Sequence, residues 1–240
     1  SLPLSSIKGV GPKTARLLEK KGLISIEDLL YFLPRRYEDR RYPVNISQTR
    51  VGTREITTGS VLLSEIKYYG RRPVFEVTIE DGTGLLIGKW FKGKPVYLKQ
   101  VFKKGTRVIF SGEVGQFSSK KEMIHPDFEI LDKDSNDLLH FKRIVPFYSE
   151  TEGLYQKSLR RITKQAVDAY APYVLSPVPN HICQQYQLID ICQAFQQAHF
   201  PGMDQHVEDY NLGKSAAHRR LIFDEFFFFQ LSMALKIKGL

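Results

Sequence analysis

The chain has 240 residues, 42% of them hydrophobic, 25% charged and 12% aromatic, which fits folded protein and excludes collagen, a low-complexity tail and full disorder. Its formal net charge of +9, from 35 Lys+Arg against 26 Asp+Glu, points to an anionic partner, with nucleic acid ahead of an anionic membrane surface. Two cysteines, Cys183 and Cys192, are too few for a disulfide framework and suit a reducing compartment, and neither a membrane-spanning apolar run nor a signal peptide is evident.

Residues 1–50 read as a helical segment. Lys13–Lys21 carries an apolar stripe at Ala15, Leu17 and Leu18 and ends at Gly22 as at a C-cap. Ser25 caps the next helix, Ile26–Leu33, with Asp28 three residues on and Pro34 as the stop. The turn Gly9-Val10-Gly11 before a basic helix suits close approach of backbone to phosphate, with Lys8, Lys13 and Arg16 assisting; a lone GxG is a weak signal, and the alternative is a tight turn that only packs. Arg35, Arg36, Arg40 and Arg41 form a dense basic run, shared between DNA contact and structure.

Residues 51–132 alternate in polarity. Thr58–Tyr69, Val74–Glu80, Leu85–Phe91, Arg107–Gly115 and Glu122–Leu131 are five candidate strands. Gly70-Arg71-Arg72-Pro73 breaks the first from the second, Asp81-Gly82-Thr83-Gly84 turns the second into the third, and Gln116–Lys121 turns the fourth into the fifth. The longest interruption, between the third and fourth strands, is where small Greek-key barrels insert a helix. Five strands in this length predict an OB-fold, an oligonucleotide-binding barrel, against a small ligand-free sandwich.

Residues 133–240 turn helical again, so the fold class is α+β: a five-stranded Greek-key barrel flanked by N-terminal and C-terminal helical segments. Leu154–Tyr170, Leu188–His199 and Ser215–Leu235 are the predicted helices, with a proline-marked loop at Pro172, Pro177 and Pro179. On the last helix Leu221, Ile222, Phe226, Phe229, Met233 and Ile237 can face inward, and Phe226–Phe229 coats most of its circumference. Such a helix is buried or lacks a neighbour. The chain stops shortly after it without a cap or charged tail, which reads as a cut inside a longer protein.

The basic excess sits early: Lys+Arg against Asp+Glu is 10 to 5 in residues 1–50, 13 to 10 in 51–132 and 12 to 11 in 133–240. Lys89, Lys92, Lys94, Lys99, Lys103, Lys104 and Arg107 occupy one window without an acid, interleaved with Trp90, Phe91, Tyr97 and Phe102. That mixture suits a surface that tracks phosphates and stacks on bases; the bland alternative is a cationic hairpin whose aromatics belong to the core. Trp90 and Phe91, adjacent on a strand, point to opposite faces, so one of them is exposed or covers a neighbouring segment.

Catalytic signatures are absent from the sequence. Gly213-Lys214-Ser215 resembles the end of a P-loop but has Glu208 where the motif needs glycine. Leu221-Ile222-Phe223-Asp224-Glu225 resembles a Walker B strand yet lies in a helical pattern. The spacing of Cys183, Cys192, His181, His199 and His206 gives no zinc motif. Asp127 and Glu129 share a strand face and read as a solvated edge.

Several motifs, in order along nearly the whole chain, resemble RecG-type ATP-dependent DNA helicases. They are Ile7-Lys8-Gly9-Val10-Gly11-Pro12-Lys13, Asp28-Leu29-Leu30, and Leu33-Pro34-Arg35-Arg36-Tyr37-Glu38-Asp39-Arg40. Glu122-Met123-Ile124-His125-Pro126, Pro146-Phe147-Tyr148 with Thr151-Glu152-Gly153-Leu154, and Arg219-Arg220-Leu221-Ile222-Phe223-Asp224-Glu225 continue the match. The resemblance implies a bacterial motor that remodels stalled replication forks and Holliday junctions in recombination and repair. An N-terminal OB-fold wedge splits the arms, and two motor lobes hydrolyse ATP with Mg. By it, residues 1–50 are the N-terminal helical segment, 51–132 the wedge, and 133–240 the helical linker toward a motor not included, so the fragment alone has no ATPase activity and no cofactor of its own. Phe91 matches an aromatic that stacks on unpaired bases; the second stacking position falls on Pro95, with Tyr97 two further.

The expected DNA-binding residues are therefore Phe91, Trp90, Tyr97, Lys89, Lys92, Lys94, Lys99, Lys103, Lys104, Arg71, Arg72, Gly9, Gly11, Lys13, Arg16, Arg35 and Arg36, with no catalytic residue and no metal ligand. Expected partners are branched and single-stranded DNA, and a single-stranded-DNA-binding protein as a further candidate, for a cytoplasmic, DNA-associated monomer with no membrane association. The competing readings are a generic single-strand-binding OB-fold and a protein-docking barrel, neither of which would prefer forks.

Overall fold

The computed structural model describes residues 2–70, 72–91, 95–131 and 143–238. Helices α1 (Pro12–Glu19) and α2 (Ile26–Leu30) lead into strand β1 (Arg36–Asp39). Strands β2 (Arg54–Tyr69), β3 (Arg72–Glu80) and β4 (Leu85–Trp90) follow, then helix α3 (Pro95–Val101) and strands β5 (Arg107–Phe117), β6 (Lys120–Ile124) and β7 (Asp127–Leu131). Strand β8 (Ile144–Phe147) precedes helices α4 (Gln156–Tyr170), α5 (Asn180–Gln185), α6 (Ile191–His199), α7 (Val207–Asn211) and α8 (Ala216–Ile237). By internal contacts the chain divides into two compact units, Ser1–Asp39 with Arg143–Leu240, and Arg40–Lys142. The three segments read from the sequence are thus distributed over two units, because the two ends of the chain share one core.

The unit at Arg40–Lys142 is the barrel. Strand β2 is antiparallel to β3 over Ser60–Tyr69 and to β5 over Arg54–Ser60, so one long strand serves two neighbours, with a register shift between Val61 and Leu63 where it turns. Strand β3 pairs with β4, β4 runs parallel to β6, and β6 is antiparallel to β5. The circuit β2-β3-β4-β6-β5-β2 closes, with α3 between the third and fourth barrel strands; this is the OB-fold topology. The predicted fifth strand, Glu122–Leu131, is two strands. His125 takes a left-handed φ of 47° and Pro126 has no N–H to donate, so the ladder breaks there and β7 moves on to pair with the start of β5.

Inward-facing residues of successive strands fill the barrel: Phe75, Val77 and Ile79 from β3, Leu86 and Trp90 from β4, Val108, Phe110 and Val114 from β5, and Met123 from β6. Leu98 and Phe102, one helical turn apart, bring α3 onto the same core. Lys121 Nζ donates to the carbonyls of Ile46, Ser47 and Thr49 at 2.9, 2.9 and 2.7 Å, tying the entry segment to β6.

The other unit is helical. Helix α2 starts with the predicted capping box, in which Ser25 Oγ accepts from the Asp28 N–H while the Asp28 carboxylate accepts from the Ser25 N–H. Those hydrogen bonds from the Ile24 and Ser25 N–H groups hold the Asp28 carboxyl below its ordinary pKa. Leu18, Leu29, Leu159, Ile162 and Phe195 join α1, α2, α4 and α6 in one core. The arginine-rich segment forms β1, antiparallel to β8 with Arg36 opposite Phe147 and Asp39 opposite Ile144. Tyr37 is buried there, its hydroxyl donating to the Ala198 carbonyl, and the Asn211 side chain bonds both its N–H and its C=O, at 2.7 and 3.0 Å.

Helix α8 shows the second of its two expected forms, an apolar helix without a neighbour over much of its length among the described residues. Leu221 is buried with Ala217, Arg220 and Asp224, a stripe at helical spacing, and Arg220 reaches Asp224, the Ile189 carbonyl and Ser176. Of the residues expected to be able to face inward, Ile222 lies off that stripe and is exposed, and Phe226, Phe229, Met233 and Ile237 are exposed because α8 is packed against the helical unit only along its first turns among the described residues.

Candidate nucleic-acid interface

Alternation along β4 sends Leu86, Gly88 and Trp90 into the barrel and Lys89 and Phe91 outward. The Trp90 ring meets Phe102, Phe110 and Phe128 with centroids 5.3, 5.7 and 5.8 Å away. It fits because residue 88 is glycine: a Cβ there would lie 2.7 Å from Phe110 Cε2 and 2.8 Å from Trp90 Cη2. Trp90 is therefore a core residue, which corrects the expectation that it contacts DNA.

Phe91 is 50% exposed. Its ring lies 5.7 Å from that of His125, tilted by 60°, and its N–H points at His125 Nε2 at 3.4 Å. His125 is held in turn by its own N–H donating to the Lys89 carbonyl at 2.8 Å. The bend between β6 and β7 thus orients an exposed aromatic at the end of β4. The sequence reading missed His125 as a partner; the signal was a histidine before proline inside a predicted strand.

Lys89 is also corrected. Its ammonium is 2.6 Å from Glu122 and 3.5 Å from Glu76, with the side chain 9% exposed. Burial opposes the lysine charge, but Glu122 and then Glu76 more than offset it, so the Lys89 pKa rises. Glu76 accepts from Lys67 at 3.0 Å and from the Tyr69 hydroxyl at 2.7 Å; burial pushes its carboxyl up, and these donors with Lys89 bring it below the ordinary value. Lys89 is thus part of an ion chain, Glu65–Lys67–Glu76–Lys89–Glu122, on the outer sheet face. A lysine committed to two carboxylates does not reach for a phosphate.

The remaining cations of the window stand differently. Lys99 on α3 and Lys103 and Lys104 just beyond it are exposed, with Tyr97 beside them at 54%. Leu98 and Phe102 anchor the opposite side of α3 in the core, which leaves Tyr97 and these lysines on the solvent side. Lys92, Lys94 and Arg71 lie outside the described residues, and Arg72 is placed by its backbone pairing opposite Tyr69.

In the helical unit, Gly9 has a φ of +87° and Gly11 is the N-cap of α1, both exposed, and the side chains of Lys8, Lys13 and Arg16 are exposed near them. Arg35 is exposed, and its N–H donates to the Phe147 carbonyl. The Arg36 guanidinium lies 3.9 Å from the centre of the Phe147 ring and 3.9 Å from Glu38, so part of its role is structural. No group of three His, Cys, Asp or Glu side chains among the described residues could hold a metal ion. The barrel unit thus exposes the rings of Phe91 and Tyr97 and the cations Lys99, Lys103 and Lys104, groups of the kinds that stack on bases and pair with phosphates.

The model of the RecG wedge domain matches residues 3–170. Among curated proteins, the ATP-dependent DNA helicase RecG of Haemophilus influenzae is 34% identical over 235 residues, covering 97% of this chain and 33% of that protein. The protein of the same name from Escherichia coli K12 is 32% identical over 234 residues, with the same coverages. The chain thus spans about a third of the length of these relatives. A solved structure described as RecG bound to a three-way DNA junction matches with a TM-score of 0.66 and 29% identity, covering all of this chain and 31% of the other.

Proposed function

We propose, from the premise that the chain belongs to the RecG wedge domain family, that it binds branched DNA and acts as the strand-separating wedge of a RecG-like, ATP-dependent helicase in recombination and repair. The observation that carries the reading is Phe91, a half-exposed ring held by His125 at the end of a barrel strand, with the exposed cations Lys99, Lys103 and Lys104 in the same unit. The energetics are balanced enough to work without fuel. Opening a base-pair step costs about 1.4 kcal/mol in stacking, and stacking a freed base on an aromatic returns roughly 1–3 kcal/mol. Net translocation needs ATP and Mg at a motor, to which no residue of this chain is assigned. A cytoplasmic, DNA-associated location fits this role.

A binding titration against a model fork, a Holliday junction, linear duplex and single strand tests the reading. Preference for the branched substrates supports it. Equal affinity for single strand and fork favours instead a generic single-strand-binding barrel, to which the closed OB topology is equally suited. Competition of DNA binding by a short acidic peptide favours protein docking, including to a single-stranded-DNA-binding protein.

A further inference from the structure

The outer face of the barrel holds a second aromatic pair that the wedge reading leaves unused. Tyr69 at the end of β2 and Phe117 at the end of β5 both meet the Lys89 ammonium, which lies 5.5 Å from the Tyr69 ring centre and 4.9 Å from that of Phe117. The two residues are 48% and 57% exposed. They are also held in place. The Tyr69 hydroxyl donates to Glu76, and Lys89, the cation they share, is fixed by Glu122 and Glu76. A side chain that would ordinarily sample several rotamers is thus preset, which lowers the ordering cost of binding something flat against it.

We propose that Tyr69 and Phe117 form a base-stacking station for unpaired nucleotides around Lys89, which shares its outward strand face with Phe91 and precedes it by two residues along β4. Charge decides the kind of contact. The ion chain has two positive groups, Lys67 and Lys89, and three negative ones, Glu65, Glu76 and Glu122, each paired with another. A phosphate gains nothing from a face already neutralised in this way, whereas the face of a base needs only the rings. Bases inside a duplex are covered by their neighbours, so the station takes single strand and refuses duplex. The inference rests on the DNA-binding reading above and adds to it a path along the barrel face.

The test is a titration of labelled oligo-dT, and separately of linear duplex, with the full chain carrying Phe117→Ala, Tyr69→Ala, Phe117→Trp or Tyr69→Phe. The two alanine variants are expected to weaken oligo-dT binding roughly 5- to 150-fold, with duplex affinity and the salt slope unchanged, while Phe117→Trp binds as the parent does and Tyr69→Phe, which keeps the ring but gives up its bond to Glu76, loses far less than Tyr69→Ala. If Phe117→Ala lowers the unfolding temperature of the barrel, Phe117→Leu, which keeps apolar bulk without a π-face, decides; full oligo-dT affinity in that variant overturns the proposal. Full affinity in both alanine variants overturns it as well. A parent chain that prefers forks and depends on Phe91, yet is indifferent to Tyr69 and Phe117, defeats this inference alone. A chain without fork preference whose oligo-dT binding still needs both rings defeats only the wedge reading, and a chain that binds no DNA defeats both.

Discussion

Replacing Lys89 with alanine separates the sequence expectation from the structure most sharply. In the structure its ammonium is buried between Glu122, at 2.6 Å, and Glu76, at 3.5 Å, with the Glu76 side chain 4% exposed and that of Glu122 15%. Removing one partner of a buried pair typically costs about 3–5 kcal/mol because the other charge is stranded. Here Lys67 and Tyr69 still serve Glu76, and Glu122 reaches water, so the cost reduces to about 2–3 kcal/mol on the same scale. For a unit of this size that is a fall of roughly 10–20 °C in unfolding temperature. Trp90, the only tryptophan, sits in the barrel core, so its fluorescence reports the transition directly. DNA binding measured well below that transition should keep its salt slope. An unchanged unfolding temperature together with a salt slope flattened by about one phosphate, roughly 0.7–0.9, would refute the ion-chain argument and restore Lys89 as a phosphate contact.

Gly88→Ala should destabilise the barrel by about 1–3 kcal/mol, since the new Cβ runs into the Phe110 and Trp90 rings, and the same fluorescence transition reads it. Double replacement of Lys103 and Lys104 by alanine should leave that transition in place, weaken fork and duplex binding alike and flatten the salt dependence. His199 is buried, with Nε2–H donating to the Leu30 carbonyl at 2.7 Å and Nδ1 accepting from Tyr148 at 2.9 Å, and burial depresses its pKa to about 4. Between the unfolded value near 6.5 and about 4, the unfolded chain therefore binds a proton that the folded one refuses. The helical unit should lose about 3 kcal/mol as pH falls through that window, in denaturant titrations, and His199→Gln should flatten the loss.

The barrel was legible in the sequence because it obeys local rules: period-two alternation, a turn at Asp81–Gly84, and an interruption where α3 sits. The alternation also required Trp90 and Phe91 to face opposite ways, but the side chosen by each depended on a glycine two residues earlier and on Phe110 and Phe128 from other strands. Lys89 was misread for a similar reason. A run of cations without an acid looks like a phosphate surface, yet Glu76 and Glu122, distant in the chain, come to Lys89 only when β3 and β6 flank β4. Strand β1 hid inside a basic segment whose partner, β8, lies more than a hundred residues away. Residues 226–237 of α8 show the opposite limit: their apolar pattern gave the helix correctly but could not say whether a neighbour covers it.

The central claim is that an exposed Phe91 ring receives an unpaired base at a branch. The most direct measurement is the affinity of the parent chain and of Phe91→Ala for one fork and for a linear duplex of the same sequence, at fixed salt. The account predicts that Phe91→Ala loses roughly 1–3 kcal/mol on the fork and almost nothing on the duplex, with the Trp90-monitored unfolding temperature unchanged. Equal fork affinity in the two proteins, or a fork loss that appears only with a collapsed barrel, would contradict it.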